Sequence, residues 1–222
     1  PSPYMYYLDL EDFYIVGSSP ETLVKTENNK ITIKPIAGTR LKQEYPNREL
    51  EKELLSDPKE RAEHLMLLDL GRNDVGRVAK IGSIKVKNPF SIQETSNLIH
   101  IVSTVEGDLR EDEDQISSLS AGFPAGTVSG APKIRAMEII DELEKEKRGI
   151  YAGAVGYFSA NGDMDTAIAL RTAIIKDEMM YVQAGGAVVY DSNEEYEYNE
   201  TVNKSQALFK AAKDAILNNL KE

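Results

Sequence analysis

The sequence predicts an α+β fold in which helices cover antiparallel strands. Short apolar runs of strand length occur in the first 35 residues and again between residues 152 and 189, and polar turns separate them. Other segments repeat their apolar residues at helical spacing. Because no repeat, linker or low-complexity stretch divides the 222 residues, we expect one domain over 1–222.

The strand predictions rest on runs of β-branched and aromatic residues. A polar turn at residues 27–30 (Glu-Asn-Asn-Lys) separates strands in the first part of the chain, and a turn at 176–178 (Lys-Asp-Glu) does so in the second. Such short turns favour antiparallel hairpins. The predicted strands cover residues 4–10, 13–16, 31–35, 152–158, 166–175 and 179–189.

Three helices are predicted from capping signals and apolar spacing. Asp57 is a typical N-cap, Pro58 suits the first helical position and Glu60 completes a capping box, so a helix should run from Pro58 to about Leu70. A second helix should run from 132 to about 147, and its apolar stripe should face the core. The third should run from about 194 to the C-terminus.

The composition excludes several classes of protein. The chain has no cysteine and only two histidines, which excludes disulfides and thiolate zinc sites and favours a cytoplasmic location. With 26 basic and 37 acidic residues the net charge is −11, so we expect no nucleic-acid partner. No apolar run approaches the roughly 20 residues of a membrane span, and we expect no membrane association. Since the sequence opens at Pro1, we expect a longer parent chain.

Two pairs of glutamates share one spacing. Glu60 lies three residues before Glu63 on the first predicted helix, and Glu197 lies three residues before Glu200 on the last. Carboxylates at this spacing share a helix face, and their oxygens are ligands that Mg²⁺ prefers. The alternative is a set of ordinary acids, because roughly six acidic pairs at this spacing arise by chance from 37 acids in 222 residues and acids in a first turn suit the helix dipole.

Single residues and short segments give further candidates. His100 lies in the apolar run 98–102 and is either an acid–base catalyst or a core histidine, whereas we expect His64 to pack. Arg171 places a charge in an apolar strand and needs a carboxylate from the protein or a substrate. The small residues of 123–133 suit an anion site or an ordinary helix cap. The glycines in 184–187 indicate a bulge or a close backbone approach to a strand or ligand.

Taken together, the motifs resemble those of the chorismate-utilising enzymes, and within them the large subunits of anthranilate synthases. The resemblance implies antiparallel sheets packed as a sandwich with helices outside, in a chorismate-binding catalytic domain whose N-terminal part precedes Pro1. The matching strings follow the family's order along nearly the whole chain: GSSPE (17–21), KPIAGTR (34–40), DPKERAEHLMLLDLGRNDVGRV (57–78), HIVSTVEG (100–107), FPAGTVSGAPK (123–133), YAGAVGY (151–157), ALRTA (169–173), VQAGGAVV (182–189) and YNETVNK (198–204).

The resemblance also implies a metal site. Family members bind Mg²⁺ through glutamates that match Glu63 and Glu200, while those matching Glu60 and Glu197 lie close by. In these enzymes the metal holds the ring carboxylate of chorismate. The cofactor expected from the resemblance is therefore Mg²⁺.

Substrate-binding residues follow in the same way. Tyr151 and Arg171 match the pair that binds the enolpyruvyl carboxylate of chorismate. Gly185 and Lys204 match neighbours of the ring carboxylate. We therefore expect these four residues to line the substrate site.

The catalytic residues implied by the resemblance surround the ring. Glu21 matches a proposed general acid that helps the ring hydroxyl leave, and Gly38, Thr39 and Thr127 line the same pocket, with Thr127 grouped among the catalytic residues. His100 matches the histidine of the later elimination step. The implied reaction is the lyase reaction that makes anthranilate and pyruvate from chorismate and ammonia, with ammonia supplied by a glutamine amidotransferase partner, in tryptophan biosynthesis.

One position favours the anthranilate branch of the family. Relatives that make aminodeoxychorismate commonly carry a nucleophilic lysine where this chain has Ala37. The opening segment 1–7 resembles a tryptophan-sensing segment, in which Pro3, Tyr4 and Met5 match contacts to the feedback inhibitor, and its alternative is a plain edge strand. Aminodeoxychorismate synthase, isochorismate or salicylate synthase and a non-catalytic fragment stay open as alternatives.

Overall fold

The computed structural model describes residues 2–42, 48–95, 98–190 and 192–219. The strands are β1 Tyr4–Asp9, β2 Tyr14–Ser19, β3 Thr22–Glu27, β4 Lys30–Ile33, β5 Ile36–Leu41, β6 Lys85–Glu94, β7 Leu98–Asp108, β8 Ala154–Phe158, β9 Met164–Ile168, β10 Thr172–Lys176 and β11 Met179–Val182. The helices are α1 Arg48–Ser56, α2 Pro58–Gly76, α3 Gln115–Gly122, α4 Gly126–Ser129, α5 Lys133–Leu143 and α6 Glu194–Asn219.

The chain divides into two compact units. The larger unit contains Glu21–Glu144 and Ala154–Ala167, and the smaller contains Pro1–Pro20, Lys145–Gly153 and Ile168–Glu222. Antiparallel pairing runs through the sheets, which confirms the predicted class of antiparallel sheets with helices. The single domain expected over 1–222 stays a prediction, and the expected end of the last helix beyond residue 219 lies outside the described residues.

A seven-stranded sheet organises the larger unit around β7. Its strand order is β5-β7-β4-β3-β9-β8, and β6 pairs with β7 as well. The register shows that β5 and β4 pair with successive halves of one edge of β7, while β6 pairs with the other edge. The side chains of Ile99 and Ile101 on β7 are fully buried against Leu54 of α1. This pairing places the segment around His100 beside β5.

Helix α2 begins where the capping signal predicts. Asp57 Oδ1 accepts hydrogen bonds from the backbone N–H groups of Lys59 at 2.9 Å and Glu60 at 3.2 Å. The helix continues to Gly76 rather than ending near Leu70, because buried residues recur along it to Val75. The predicted capping box is wrong, because it requires the Glu60 side chain to accept a hydrogen bond from the Asp57 N–H. That N–H donates to the Glu53 carbonyl instead, and Glu60 accepts from Arg40.

Helix α5 corrects a second prediction. It covers Lys133–Leu143, but none of its residues is buried, and Ile134 and Leu143 are 73% and 74% exposed. The expected core-facing stripe is therefore wrong for the described chain, because no described element packs over these side chains. His64 does pack as expected, since it is fully buried with Nε2 2.6 Å from Ser103 Oγ.

The smaller unit has a four-stranded sheet in the order β1-β2-β10-β11 and the long helix α6. The single strand predicted over 166–175 is two strands, β9 and β10, which belong to different sheets. The last predicted strand ends at Val182, so residues 183–189 are outside the sheet. Within the described residues, no helix combines the length and apolar character needed to cross a membrane.

Candidate functional site

Gly38, Thr39 and His100 lie together in the larger unit. A register shift between Ala37 and Thr39 interrupts the pairing of β5 with β7, and Gly38 at this point has φ +66°, which favours glycine. His100 Nδ1 lies 3.1 Å from Thr39 Oγ1 and 3.3 Å from the Gly38 carbonyl oxygen. Because a carbonyl only accepts, this contact favours a proton on Nδ1 and leaves the basic lone pair on Nε2.

Glu60 reaches the same place from α2. Its Oε1 accepts a hydrogen bond from Arg40 Nη1 at 3.0 Å, and its side chain is 18% exposed. A Cβ added to Gly38 would lie 3.0 Å from Glu60 Oε2, so the glycine leaves room for this carboxylate. The larger unit thus brings together Gly38, Thr39, Glu60 and His100.

The remaining predicted residues of the larger unit occupy separate elements. Glu63 is half-buried one turn after Glu60 on α2, and Glu21 is buried directly before β3. Thr127 is in α4, and its Oγ1 is buried with no hydrogen-bond partner in the described structure. A buried hydroxyl of this kind gains free energy from a bound polar group.

In segment 123–133, which suits an anion site by sequence, the lysine already pairs with a carboxylate of the protein. Lys133 Nζ donates to both carboxylate oxygens of Asp74, at 3.1 and 3.0 Å, and both side chains are largely buried. Burial raises the pKa of Asp74, while Lys133 and Arg77 oppose the shift. Pro132 is the N-cap of α5 and makes no side-chain capping bond. The ammonium group of this segment is therefore committed to an internal ion pair with α2.

A second group of predicted residues meets in the smaller unit around residues 185 and 186. Lys204 Nζ on α6 donates to the Gly185 carbonyl at 3.2 Å and forms an ion pair with Glu200 Oε1 at 2.9 Å. A Cβ on Gly185 would lie 2.8 Å from the Tyr151 hydroxyl, so only glycine allows this approach. Glu197 Oε1 accepts from Ser192 Oγ at 2.9 Å. Residues 185 and 186 thus contact a tyrosine side chain and α6, so the prediction of a bulge or of an approach to a strand or ligand is not what the structure shows.

Arg171 joins the residues of the smaller unit through its charge. Burial lowers the pKa of its guanidinium, and the negative charge of Glu200 opposes that shift. Its backbone has φ +49°, in the left-handed region, at a cost of roughly 1–2 kcal/mol for a residue with a side chain. Strain of this kind persists where the surrounding structure fixes it, and it is concentrated at functional sites.

Tyr4 and Met5 begin β1, which is an edge strand of the four-stranded sheet, and Pro3 directly precedes it. Met5 is 68% exposed, whereas Tyr4 is half-buried. The alternative prediction, that segment 1–7 forms a plain edge strand, agrees with the position of β1 in the sheet. The inhibitor contacts stay a prediction.

The four glutamates suit Mg²⁺ by the chemistry of their donor atoms. All are carboxylates, and Mg²⁺ is commonly held by one or two carboxylates together with water and substrate oxygens. Over the described ranges, no cluster of three or more acidic or histidine side chains is arranged to hold a metal by itself. The oxygen donors suit Mg²⁺ by their chemistry, and the metal site itself stays a prediction.

Arg40 is a site residue that the sequence interpretation missed. It contacts Glu53 and Asp57 in addition to Glu60. One signal was present in the sequence, because three acids at 53, 57 and 60 lie close together and like charges in proximity favour a nearby cation. The position of that cation, 13 residues earlier than Glu53 on a strand, has no local signature.

A family model described as chorismate binding enzyme matches residues 1–210. The chain belongs to the chorismate binding enzyme family. It is 61% identical over 217 residues to anthranilate synthase component 1 of Cereibacter sphaeroides, covering 97% of this chain and 43% of that protein. It is 59% identical over 213 residues to the protein of the same name from Aquifex aeolicus, covering 95% and 43%. The chain thus spans less than half the length of these curated family members.

Solved structures of the family have the same fold. Anthranilate synthase component I from Streptococcus pneumoniae matches with a TM-score of 0.87 and 50% identity, over 93% of this chain and 46% of that one. The menaquinone-specific isochorismate synthase from Escherichia coli matches with a TM-score of 0.81 and 24% identity, over 89% and 46%. The second likeness shows the fold alone.

Proposed function

We propose that this chain is the chorismate-binding part of an anthranilate synthase component 1, a lyase of tryptophan biosynthesis. The observation that carries the proposal is the 61% identity over 97% of the chain to a protein of that name. In the proposed reaction ammonia adds to the ring of chorismate and the ring hydroxyl leaves as water. The enolpyruvyl group then leaves as pyruvate, and loss of a ring proton gives anthranilate.

Cationic and polar groups of the smaller unit bind the substrate in this proposal. Chorismate is a dicarboxylate, and a chain of net charge −11 needs local positive charge to hold it. Arg171 and Tyr151 bind the enolpyruvyl carboxylate. Lys204, whose ammonium lies at the Gly185 carbonyl, neutralises part of the charge at the ring carboxylate.

Groups of the larger unit move protons. Glu21 acts as the general acid for the departing hydroxyl, and its burial shields the donor from water. His100 removes the ring proton through Nε2, because its Nδ1 faces the Gly38 carbonyl and Thr39 Oγ1. Thr127 Oγ1 provides a hydroxyl for the ring substituents.

The proposed metal ligands are two carboxylates, and two more acids belong to the site, as the resemblance implies. We assign Glu63 and Glu200 as ligands of Mg²⁺ and Glu60 and Glu197 as nearby acids. When bound, the metal would act as a Lewis acid and template for the ring carboxylate. The Arg40 contact to Glu60 and the Ser192 contact to Glu197 hold one oxygen of each of these neighbouring acids.

Partners and location follow from the same proposal. A glutamine amidotransferase subunit supplies ammonia, tryptophan inhibits by binding at Pro3, Tyr4 and Met5, and the enzyme works in the cytoplasm. Ala37 favours this branch over the aminodeoxychorismate branch, because alanine has no nucleophilic group. The isochorismate branch has weaker support, since the sequence identity is 24% to the Escherichia coli isochorismate synthase and 50% to the Streptococcus pneumoniae anthranilate synthase.

The direct test uses the full-length protein with chorismate, Mg²⁺ and an ammonium salt. We expect the fluorescence of anthranilate and release of pyruvate. Formation of isochorismate, salicylate or a non-fluorescent amino product instead would move the protein to another branch. A folded protein that neither binds nor consumes chorismate would leave the non-catalytic interpretation.

A pair of variants tests the metal ligands. Glu200→Gln should raise the Mg²⁺ concentration needed for half-maximal rate by at least tenfold, because a neutral amide replaces a carboxylate ligand. Glu195→Gln is the matched control, since Glu195 is exposed on the same helix. Equal Mg²⁺ dependence in both variants would remove Glu200 from the ligand set.

A further inference from the structure

A tight turn in the smaller unit fixes the backbone of Tyr151. The Arg148 carbonyl accepts a hydrogen bond from the Tyr151 N–H at 3.0 Å. The buried Ala152 donates its N–H to the Ala169 carbonyl at 3.1 Å, and the Ala169 N–H donates to the Gly153 carbonyl at 2.8 Å. These bonds tie the turn to the segment that precedes Arg171. They do not choose the rotamer of the Tyr151 side chain, because a side chain turns about its own bonds.

The guanidinium group of Arg148 lies over the Tyr151 ring. Its Cζ atom is 5.5 Å from the ring centroid. A cation within about 6 Å of an aromatic centroid is attracted to the negative face of the ring, and the attraction becomes stronger as water is removed. Both residues are half-buried. The side chain of Arg148 therefore favours one orientation of the Tyr151 ring.

The hydroxyl end of the same ring lies at Gly185. A Cβ on Gly185 would be 2.8 Å from the Tyr151 hydroxyl oxygen. The Gly185 carbonyl accepts a hydrogen bond from Lys204 Nζ at 3.2 Å. A phenol O–H and an ammonium group are both hydrogen-bond donors, and donors that approach one place suit a carboxylate. The orientation of the Tyr151 ring therefore decides where one of these donors is presented.

We infer that Arg148 is a positioning residue that holds the Tyr151 ring so that its hydroxyl stays at Gly185, where it donates to the enolpyruvyl carboxylate of chorismate. The inference rests on the proposed function. A donor that is already oriented binds an anion with a smaller loss of conformational entropy than a ring that must first be ordered. The positive charge of Arg148 also favours the approach of a dicarboxylate to this unit.

The test titrates chorismate into the full-length protein by calorimetry. Arg148→Met keeps a long apolar side chain but removes the charge, and it should weaken chorismate binding about fivefold. Arg148→Lys restores a cation for the ring face and should bind chorismate within about twofold of the unaltered protein. A residue that only packs would tolerate Met as well as Lys. Unchanged binding in Arg148→Met would therefore overturn the inference.

A double variant tests whether Arg148 acts through Tyr151. Tyr151→Phe removes the hydroxyl and should weaken chorismate binding about tenfold. Adding Arg148→Met to Tyr151→Phe should weaken it by no more than about twofold further, because the ring then has no donor to orient. Losses that multiply in the double variant would show that Arg148 acts independently of Tyr151 and would overturn the inference.

Steady-state kinetics give a second measure of positioning. Arg148→Met should raise KM for chorismate about fivefold and change kcat much less, because the enolpyruvyl carboxylate is held alike in the ground state and the transition state. A loss confined to kcat would contradict the inference. Arg135→Met is the matched control, since Arg135 is an exposed arginine that pairs with Glu138 and Glu142. It should bind chorismate within about twofold of the unaltered protein.

Arg148→Gln covers the case in which Arg148→Met does not fold. It is also neutral and should weaken chorismate binding about fivefold, so that unchanged binding would refute the inference. If the unaltered protein binds no chorismate, the proposed function and this inference both fail. If Tyr151→Phe weakens binding while Arg148→Gln and Arg148→Met do not, the inference alone fails.

Discussion

The buried ion pair between Asp74 and Lys133 gives a sharp prediction about stability. The two side chains are 9% and 14% exposed, and their charged atoms are 3.0 and 3.1 Å apart. At an effective dielectric constant of about 20, two unit charges 3 Å apart attract by about 5 kcal/mol before desolvation is counted. Asp74→Ala leaves the ammonium buried without its partner and should lower the free energy of unfolding by about 3–5 kcal/mol.

The companion variants follow from the same reasoning. Lys133→Met leaves the carboxylate of Asp74 buried, and that group can relieve its burial by taking up a proton. Since burial already raises the pKa of Asp74, loss of the cation should raise it further. The Lys133→Met protein should therefore lose more stability at pH 8 than at pH 5. Replacing both residues by Leu and Met should recover most of the stability, because an apolar pair carries no buried charge.

Thermal unfolding followed by circular dichroism measures these changes in the full-length protein. Asp74→Ala should lower the melting temperature by roughly 5 °C, because the shift per kcal/mol becomes smaller as the chain becomes longer. Arg72→Lys serves as the control, because its ion pair with Asp69 is exposed and should be worth less than about 1 kcal/mol. A shift of only 1–2 °C in Asp74→Ala, or a double variant as unstable as the sum of its single changes, would refute the reasoning.

Two further predictions concern single residues of the larger unit. Burial lowers the pKa of His64 from 6.5 to about 4, so protonation favours the unfolded chain. Lowering the pH from 7 to 5 should therefore reduce the free energy of unfolding by about 2 kcal/mol through this group. In Mg²⁺-free buffer His64→Gln should make the free energy of unfolding depend less on pH, and an unchanged pH dependence would contradict the assignment. Gly38→Ala places a methyl group 3.0 Å from Glu60 Oε2 and Leu54 Cδ1, and it should lower both the melting temperature and kcat/KM. Gly82→Ala, also at positive φ but with open space around it, should lose some stability and keep kcat/KM; equal losses of kcat/KM in the two variants would show that contact with Glu60 is irrelevant.

Comparison of α2 with α5 shows how far local signals reach. The beginning of α2 follows from Asp57 and Pro58, because capping acts between residues two or three positions apart. The spacing of apolar residues likewise predicts that α5 is a helix. Whether its apolar residues are covered depends on elements distant in sequence, and in the described chain Ile134 and Leu143 are exposed. Periodicity predicts a helix, but it does not say what packs against it.

For the candidate site, too, the motifs predict which residues matter but do not predict the contacts between them. The motifs at 34–40, 57–78, 100–107 and 198–204 suffice to nominate Gly38, Glu63, His100 and Lys204, because a motif preserves the residue types that a chemistry needs. The contacts between such motifs do not follow from the motifs themselves. Gly38 faces His100 only because a shift in the β5–β7 register places them together across 62 positions.

The sequence by itself determined the local structure and the family. Composition, caps and turns act over a few residues, and the motifs identify a chorismate binding enzyme along residues 1–210. Only the tertiary structure decided which distant groups form ion pairs: that Arg40 binds three acids and that Lys133 is paired with Asp74. The physical reason is that an ion pair depends on distance in space, and strand pairing and helix packing set that distance between residues far apart in the chain.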